Sequence, residues 1–111
     1  MTEERIRRVG ENEALYRLVN EQIHALIPGV AATTGDFSVI CECGTLDCKA
    51  QIVVTREVYE QTRAQSDHFI VLRGHQLGDL EAIVEDHETF FVIEKIPAEA
   101  RRLAEEMDPR A

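Results

Sequence analysis

Three cysteines within eight residues constrain the fold of this chain more than any other feature. They lie in the run Cys41-Glu42-Cys43-Gly44-Thr45-Leu46-Asp47-Cys48. Residues two apart in an extended strand project to the same face, so Cys41 and Cys43 should point to one spot. Gly44 permits a turn that returns Cys48 to that spot. Soft thiolates grouped where a strand enters a turn are typical of a zinc knuckle.

A fourth ligand must then come from elsewhere in the chain, because structural zinc takes four ligands and histidine commonly completes a cysteine set. His75 follows Gly74 in a loop after a predicted strand, and a loop histidine can turn towards the knuckle. His87 is the alternative, although we interpret it as a core imidazole on the apolar face of a short helix. His68, which precedes a strand and is expected to be exposed, is the third candidate, and a water or an acidic side chain is the remaining option. His24 is expected at the surface.

Other interpretations of the cysteines fit less well. Three is an odd number for disulfides, and Cys41 and Cys43 would be about 6.6 Å apart in a strand, near the limit for bridging. A reactive thiol needs local positive charge, but Glu42 and Asp47 flank these cysteines. Iron–sulfur clusters usually take four cysteines, and buried metal-free thiols stay open as the plain alternative. We predict a structural Zn²⁺ with the ligands Cys41, Cys43, Cys48 and His75.

The apolar spacing before the knuckle predicts one long helix over residues 1–27. Thr2 is expected to cap it, and Pro28 to end it. Apolar residues recur at intervals of three and four and should form the inward face, a stripe of Ile6, Val9, Tyr16, Val19, Ile23, Leu26 and Ile27, widened by Leu15 and Leu18. Arg17, Asn20 and His24 then fall on the polar, outward side.

The rest of the chain predicts an α+β fold with a small mixed or antiparallel sheet of about four strands. The strands are expected at 37–41, 50–54, 69–72 and 90–95, with the first two forming a hairpin around the knuckle. Thr55 should cap a helix that reaches Gln65, and Asp79 a two-turn helix with Leu80, Ile83, Val84 and His87 on one face. We expect one domain over residues 1–111, with the helix 1–27, the α+β core 36–96 and a last helix 97–107 that Pro97 opens.

The charge balance restricts the partners. The 111 residues contain 12 basic and 21 acidic side chains, a formal net charge of -9 at pH 7. Residues 36–90 hold 11 of the acidic and only four of the basic groups. Electrostatics would therefore oppose binding to nucleic acid or to an anionic membrane, and we expect neither. The charged start of the chain lacks an apolar signal region, so we expect a cytoplasmic protein.

The same stretches carry a resemblance to a known group of proteins. The knuckle, the segments 54–60, 69–75 and 91–95, and the Asn-Glu pairs at 12–13 and 20–21 are similar to a group of small bacterial proteins with no assigned activity. The resemblance covers most of the chain and implies that the three cysteines and His75 form a set. It departs at Arg73, where the group is expected to have proline, and it implies no function.

The sequence is compatible with three functions. The first is a zinc-stabilised interaction or regulatory module, with a protein partner or a second copy held by the N-terminal helix. The second is a metal-dependent enzyme in which His75 does not ligate and water completes the zinc. The third is a thiol-based redox or metal sensor. The first is favoured because no second catalytic group is visible near the knuckle, and an enzyme stays open as the less favoured interpretation.

Overall fold

The computed structural model describes residues 3–26, 36–45 and 47–110, and within them the fold is α+β. The elements follow in the order α1 (Glu3–Leu26), β1 (Asp36–Ile40), β2 (Gln51–Thr55), α2 (Arg56–Arg63), β3 (His68–Leu72), β4 (Glu81–Asp86), β5 (Phe90–Lys95) and α3 (Ala98–Glu106). The predicted fold class and the long N-terminal helix are confirmed. The expected cap at Thr2 and the helix end before Pro28 lie outside the described residues.

The described strands number five, in two antiparallel sheets rather than one. β1 and β2 form the predicted hairpin, with Phe37 opposite Val54 and Val39 opposite Ile52. These four side chains are buried, while alternate residues face outward. The second sheet has the order β3-β5-β4, and its central strand β5 is buried on both faces. Buried apolar side chains from both sheets, together with Tyr59 of α2 and Ala104 of α3, pack into one cluster.

The knuckle connects the two sheets. The amide of Glu42 donates to the carbonyl of Ile70 in β3 at 2.8 Å, and the amide of Leu72 donates to the sulfur of Cys41 at 3.1 Å. The chain that carries the first two cysteines therefore lies along the edge of β3. Since the loop after β3 begins at Arg73, this contact brings residues near 75 beside the cysteines.

The predicted helix after Asp79 is wrong, because this segment is strand β4. Leu80 is fully buried, but Ile83 and Val84 are 46% and 39% exposed, so their helical spacing did not mark a common inward face. β4 instead pairs with β5, with an irregularity between Ile83 and Glu85. β-Branched residues suit a strand, and backbone pairing with a buried neighbour outweighs a weak helical pattern.

The inward face of α1 also differs from the prediction. Val9 and Tyr16 are buried as expected, but Leu15 and Leu18 are 49% and 44% exposed. The polar residues Glu13, Arg17 and Asn20 occupy the buried face instead, at 0–1% exposure. Glu13 accepts from the ammonium of Lys95, and Arg17 donates to the carbonyls of Ser66 and Ala104. Asn20 donates to the carbonyl of Ile40. Burial of these polar side chains is tolerated because each makes at least one hydrogen bond inside the protein, although Glu13 Oε2 and Arg17 Nε have no hydrogen-bond partner there.

The two short helices agree with their predicted starts. Thr55 caps α2, where its hydroxyl accepts from the amide of Val58 at 3.1 Å. Tyr59 on the inner face of α2 is fully buried. Pro97 precedes α3 in an extended conformation. Among the described helices, none is both long and apolar enough to cross a membrane.

Candidate metal centre

The four predicted ligands come together in the structure. The sulfurs of Cys41, Cys43 and Cys48 and a ring nitrogen of His75 all lie within 4.8 Å of one another. The Nδ1 atom of His75 is 3.4 Å from the sulfur of Cys48 and 3.7 Å from that of Cys41. Over residues 3–26, 36–45 and 47–110, this is the one group of its kind. These side chains could hold a metal ion.

The distances from His75 have the length that a tetrahedral centre requires. Zinc binds thiolate sulfur at about 2.3 Å and imidazole nitrogen at about 2.0 Å, so at the tetrahedral angle sulfur and nitrogen are about 3.5 Å apart. The two distances from His75 Nδ1, 3.4 and 3.7 Å, lie on either side of that value. The geometry also selects Nδ1 as the ligand atom, which leaves Nε2 to carry the ring proton.

Cys41 and Cys43 form the buried half of the centre. Their exposed fractions are 0% and 2%, whereas Cys48 is only half-buried. Burial raises the pKa of both the Cys41 and the Cys43 thiol. A metal binds the thiolate form of cysteine. Metal binding therefore releases protons, and protons compete with the metal for the sulfur atoms.

A tight turn delivers His75. Its amide donates to the carbonyl of Leu72 at 2.9 Å, and Gly74 at the third position has φ +93°. A type II turn needs positive φ at that position, which glycine adopts without strain. Proline often precedes such a glycine, but here the amide of Arg73 donates to the carbonyl of Thr89 at 3.1 Å. Proline at position 73 would lose this hydrogen bond.

The other three histidines lie outside the cluster. His87 is neither a ligand nor a core residue of a helix: it lies in the turn between β4 and β5, where its ring stacks on Phe90 at 4.4 Å between centroids. His24, expected at the surface, has a side chain that is only 15% exposed and stacks on Tyr59. His68, also expected at the surface, is 19% exposed beside Glu94.

The sequence did not reveal the buried carboxylate behind the knuckle. Glu42 is fully buried, and its oxygens accept four hydrogen bonds of 2.7–3.0 Å: one from Asn20, two from Arg63 and one from the amide of Ile70. Strand alternation was the available signal, because a residue between two cysteines that share a face must point the opposite way. By charge alone, Glu42 is only a negative group beside the cysteines.

Helix α1 lies directly against the knuckle. Asn12 donates to the carbonyl of Gly44 at 3.0 Å. Eight residues later on the same face, Asn20 donates to the carbonyl of Ile40 and accepts from its amide, both at 2.8 Å. A Cβ atom on Gly44 would lie 2.5 Å from the side chain of Val9, so only glycine allows this close approach. The helix therefore fixes the chain at both ends of the first two ligands.

No family model matches this sequence. Comparison with curated proteins gives no match, and comparison with solved structures gives none. The resemblance drawn from the sequence therefore stays a prediction, and the chemistry of the cluster has to carry the functional argument.

Proposed function

We propose that this protein is a zinc-binding module in which Cys41, Cys43, Cys48 and His75 coordinate one Zn²⁺ ion. The observation that carries the proposal is the position of His75 Nδ1, at tetrahedral distance from two of the sulfurs. Three thiolates and one imidazole match the ligands of structural zinc, and their softness disfavours magnesium and calcium. Four protein ligands leave no coordination position for a substrate.

The zinc would connect two segments that are distant in sequence. His75 is 34 residues from Cys41 and 27 from Cys48. A metal that binds only the folded chain stabilises it, and bringing distant segments together removes entropy from the unfolded state. We therefore assign the ion a stabilising role within an interaction or regulatory module.

The contact surface that we propose for this module is the outer side of α1. Leu15 and Leu18 are almost half exposed there, and Leu26 near the end of the helix is 81% exposed. Apolar side chains in this arrangement can pack against a protein partner or a second copy of the chain. Light scattering of the wild type and of a Leu15→Glu/Leu18→Glu variant tests this surface. The variant should lose any self-association of the wild type and retain its zinc.

Elemental analysis of protein purified without added metal tests the zinc proposal. We expect about one zinc per chain, since the described residues contain one such cluster. Iron with visible absorption would instead indicate an iron–sulfur centre, and protein with no metal and three freely titrating thiols would contradict the proposal.

Anion binding to cobalt-substituted protein distinguishes the closed site proposed here from the open site of the enzyme alternative. If the site is closed, azide should not change the cobalt absorption spectrum. If it is open, azide should bind the cobalt and change the spectrum.

A further inference from the structure

The four ligands divide into a buried pair and an accessible pair. Cys41 and Cys43 are inside the protein, whereas Cys48 and His75 are half-buried. The accessible pair opens into a surface hollow of about 290 Å³, whose other walls are Thr45, Gly74, Gln76 and Leu77. A metal in the site would therefore meet solvent along one edge, the edge between the Cys48 sulfur and the imidazole.

The buried pair is held by contacts that do not involve a metal. The backbone of Cys41 donates to the carbonyl of Ala50 at 2.8 Å, and its sulfur accepts from Leu72. Between the two cysteines, the Glu42 carboxylate is anchored by Arg63 and Asn20. Asn12 holds the carbonyl of Gly44 immediately after Cys43. These hydrogen bonds hold Cys41 and Cys43 in place on their own.

The accessible pair is held more loosely. Cys48 is placed by a turn in which its amide donates to the carbonyl of Thr45 at 3.1 Å. His75 is placed by the turn at Gly74, where a Cβ atom would meet nothing within 4 Å. Cys48 packs against the edge of the core cluster, and the side chains of both Cys48 and His75 line the hollow. A ligand that leaves the metal from this edge can rotate into the hollow without opening the core.

We propose that the chain stays folded without zinc and exchanges zinc through the Cys48–His75 edge with acceptors that offer nitrogen or sulfur ligands. This inference rests on the proposed zinc site. In the first exchange step a bond forms between zinc and a thiolate sulfur or an aromatic nitrogen of the acceptor, and the bond to His75 Nδ1 breaks. The imidazole leaves neutral, so this step needs no proton. Cys48 leaves next and takes up one proton as its thiol re-forms, and the two buried cysteines follow in the same way.

Zinc transfer to the chromogenic chelator pyridylazoresorcinol tests the proposal on the full chain under reducing conditions. The zinc-free chain should keep a cooperative thermal transition and dispersed amide signals. The transfer rate should rise linearly with chelator concentration, because the chelator attacks the folded protein. A zinc-free chain without a cooperative transition would overturn the inference, as would a transfer rate that does not depend on chelator. A chain that takes up no zinc at all would instead contradict the proposed site itself.

A matched pair of variants tests the route. Thr45→Trp places a large side chain at the rim of the hollow, and Val53→Trp adds the same side chain on the outer face of β2, where Val53 is 61% exposed. We expect a severalfold slower transfer from Thr45→Trp and an unchanged rate from Val53→Trp, with one zinc bound in both. Equal rates from the two variants would exclude the hollow as the route.

Discussion

Arg63 and Glu42 form a two-pronged ion pair in the interior of the protein. The guanidinium nitrogens lie 2.7 and 3.0 Å from the two carboxylate oxygens, and the side chains are 1% and 0% exposed. Planar guanidinium matches carboxylate in this geometry, and charge-assisted hydrogen bonds of this kind are the strong ones. Because Glu42 stands between Cys41 and Cys43, this pair ties the position of two candidate ligands to helix α2.

Removal of one partner of this pair should be costly. Arg63→Met leaves the Glu42 carboxylate buried without its counter-charge, and we expect a loss of about 3–5 kcal/mol in the free energy of unfolding. The double variant Arg63→Met/Glu42→Leu removes both charges and should recover part of that loss, since Asn20 and the amide of Ile70 lose their acceptor. Urea unfolding of the zinc-loaded proteins measures both values. A double variant no more stable than the single one would contradict unpaired charge as the main source of the loss.

The close approach of α1 to the knuckle gives a second prediction. Gly44→Ala places a Cβ atom 2.5 Å from Val9 Cγ1, so either the helix or the knuckle must shift. We expect a loss of about 1–3 kcal/mol, as for other overpacked sites, together with weaker zinc binding. Gly78→Ala is the matched control, because a Cβ atom there meets nothing within 4 Å. Val9→Ala should relieve the clash in the Gly44→Ala background, and failure to do so would contradict the packing explanation.

A second buried charge cluster makes stability depend on pH. The ammonium of Lys95 lies 2.8 Å from a carboxylate oxygen of Glu13 and 2.9 Å from one of Glu81. Burial raises the pKa of Glu13 well above its usual value. Burial alone would lower the pKa of Lys95, but the charges of the two carboxylates raise it. The stability that Lys95 contributes is therefore present below its usual pKa of 10.5 and is lost as pH rises through the folded value.

Lys95→Met tests this cluster. At about pH 7 the variant should lose about 3–5 kcal/mol, because two buried carboxyl groups remain without a cation. The pKa of Glu13 already lies well above 4.5, and loss of the Lys95 charge, which lowers the pKa of both carboxyl groups, should raise both further, so the variant should regain stability as pH falls towards 4.5. Urea titrations at several pH values measure the trend. A loss that is the same at about pH 5 and pH 8 would indicate a packing defect instead of unpaired charge.

The local part of the candidate site could be predicted from the sequence, since it depends on spacing alone. Alternation places Cys41 and Cys43 on one face, a turn follows at Gly44, and the Gly74–His75 loop supplies the fourth side chain. The fourth ligand, His75 or His87, could not be chosen from local sequence. It depended on the edge of β3 lying beside the knuckle, which no spacing in the sequence reveals.

The errors have one physical origin, namely partners that are distant in sequence. The charge of Arg17 predicts an outward position, but its two terminal nitrogens donate inside the protein to the carbonyls of Ser66 and Ala104, 49 and 87 residues away. Ile83 and Val84 fit a helical spacing, but β5 provides the backbone hydrogen bonds of a strand. In both cases a tertiary contact outweighs a weak local pattern.

The last prediction concerns the fourth ligand. His75→Ala should lower zinc affinity by more than about 100-fold, because a direct ligand is removed. Loss of a residue that only supports a ligand already costs about 10- to 100-fold. Its melting temperature should fall by about as much as that of Cys48→Ser, since each variant deletes one of the two accessible ligands.

His87→Ala is the matched control for that variant. Its ring stacks on Phe90 in the β4–β5 turn with a side chain 30% exposed, so we expect full zinc affinity and a loss of about 1 kcal/mol or less. Competition with a zinc chelator and thermal melts of loaded and zinc-free protein give both quantities. In the zinc-free state His75→Ala should melt close to the wild type, because the ring contributes to stability mainly through the metal. If instead His75→Ala binds zinc like the wild type, His75 is not a ligand. That result would favour the alternative in which water completes the zinc.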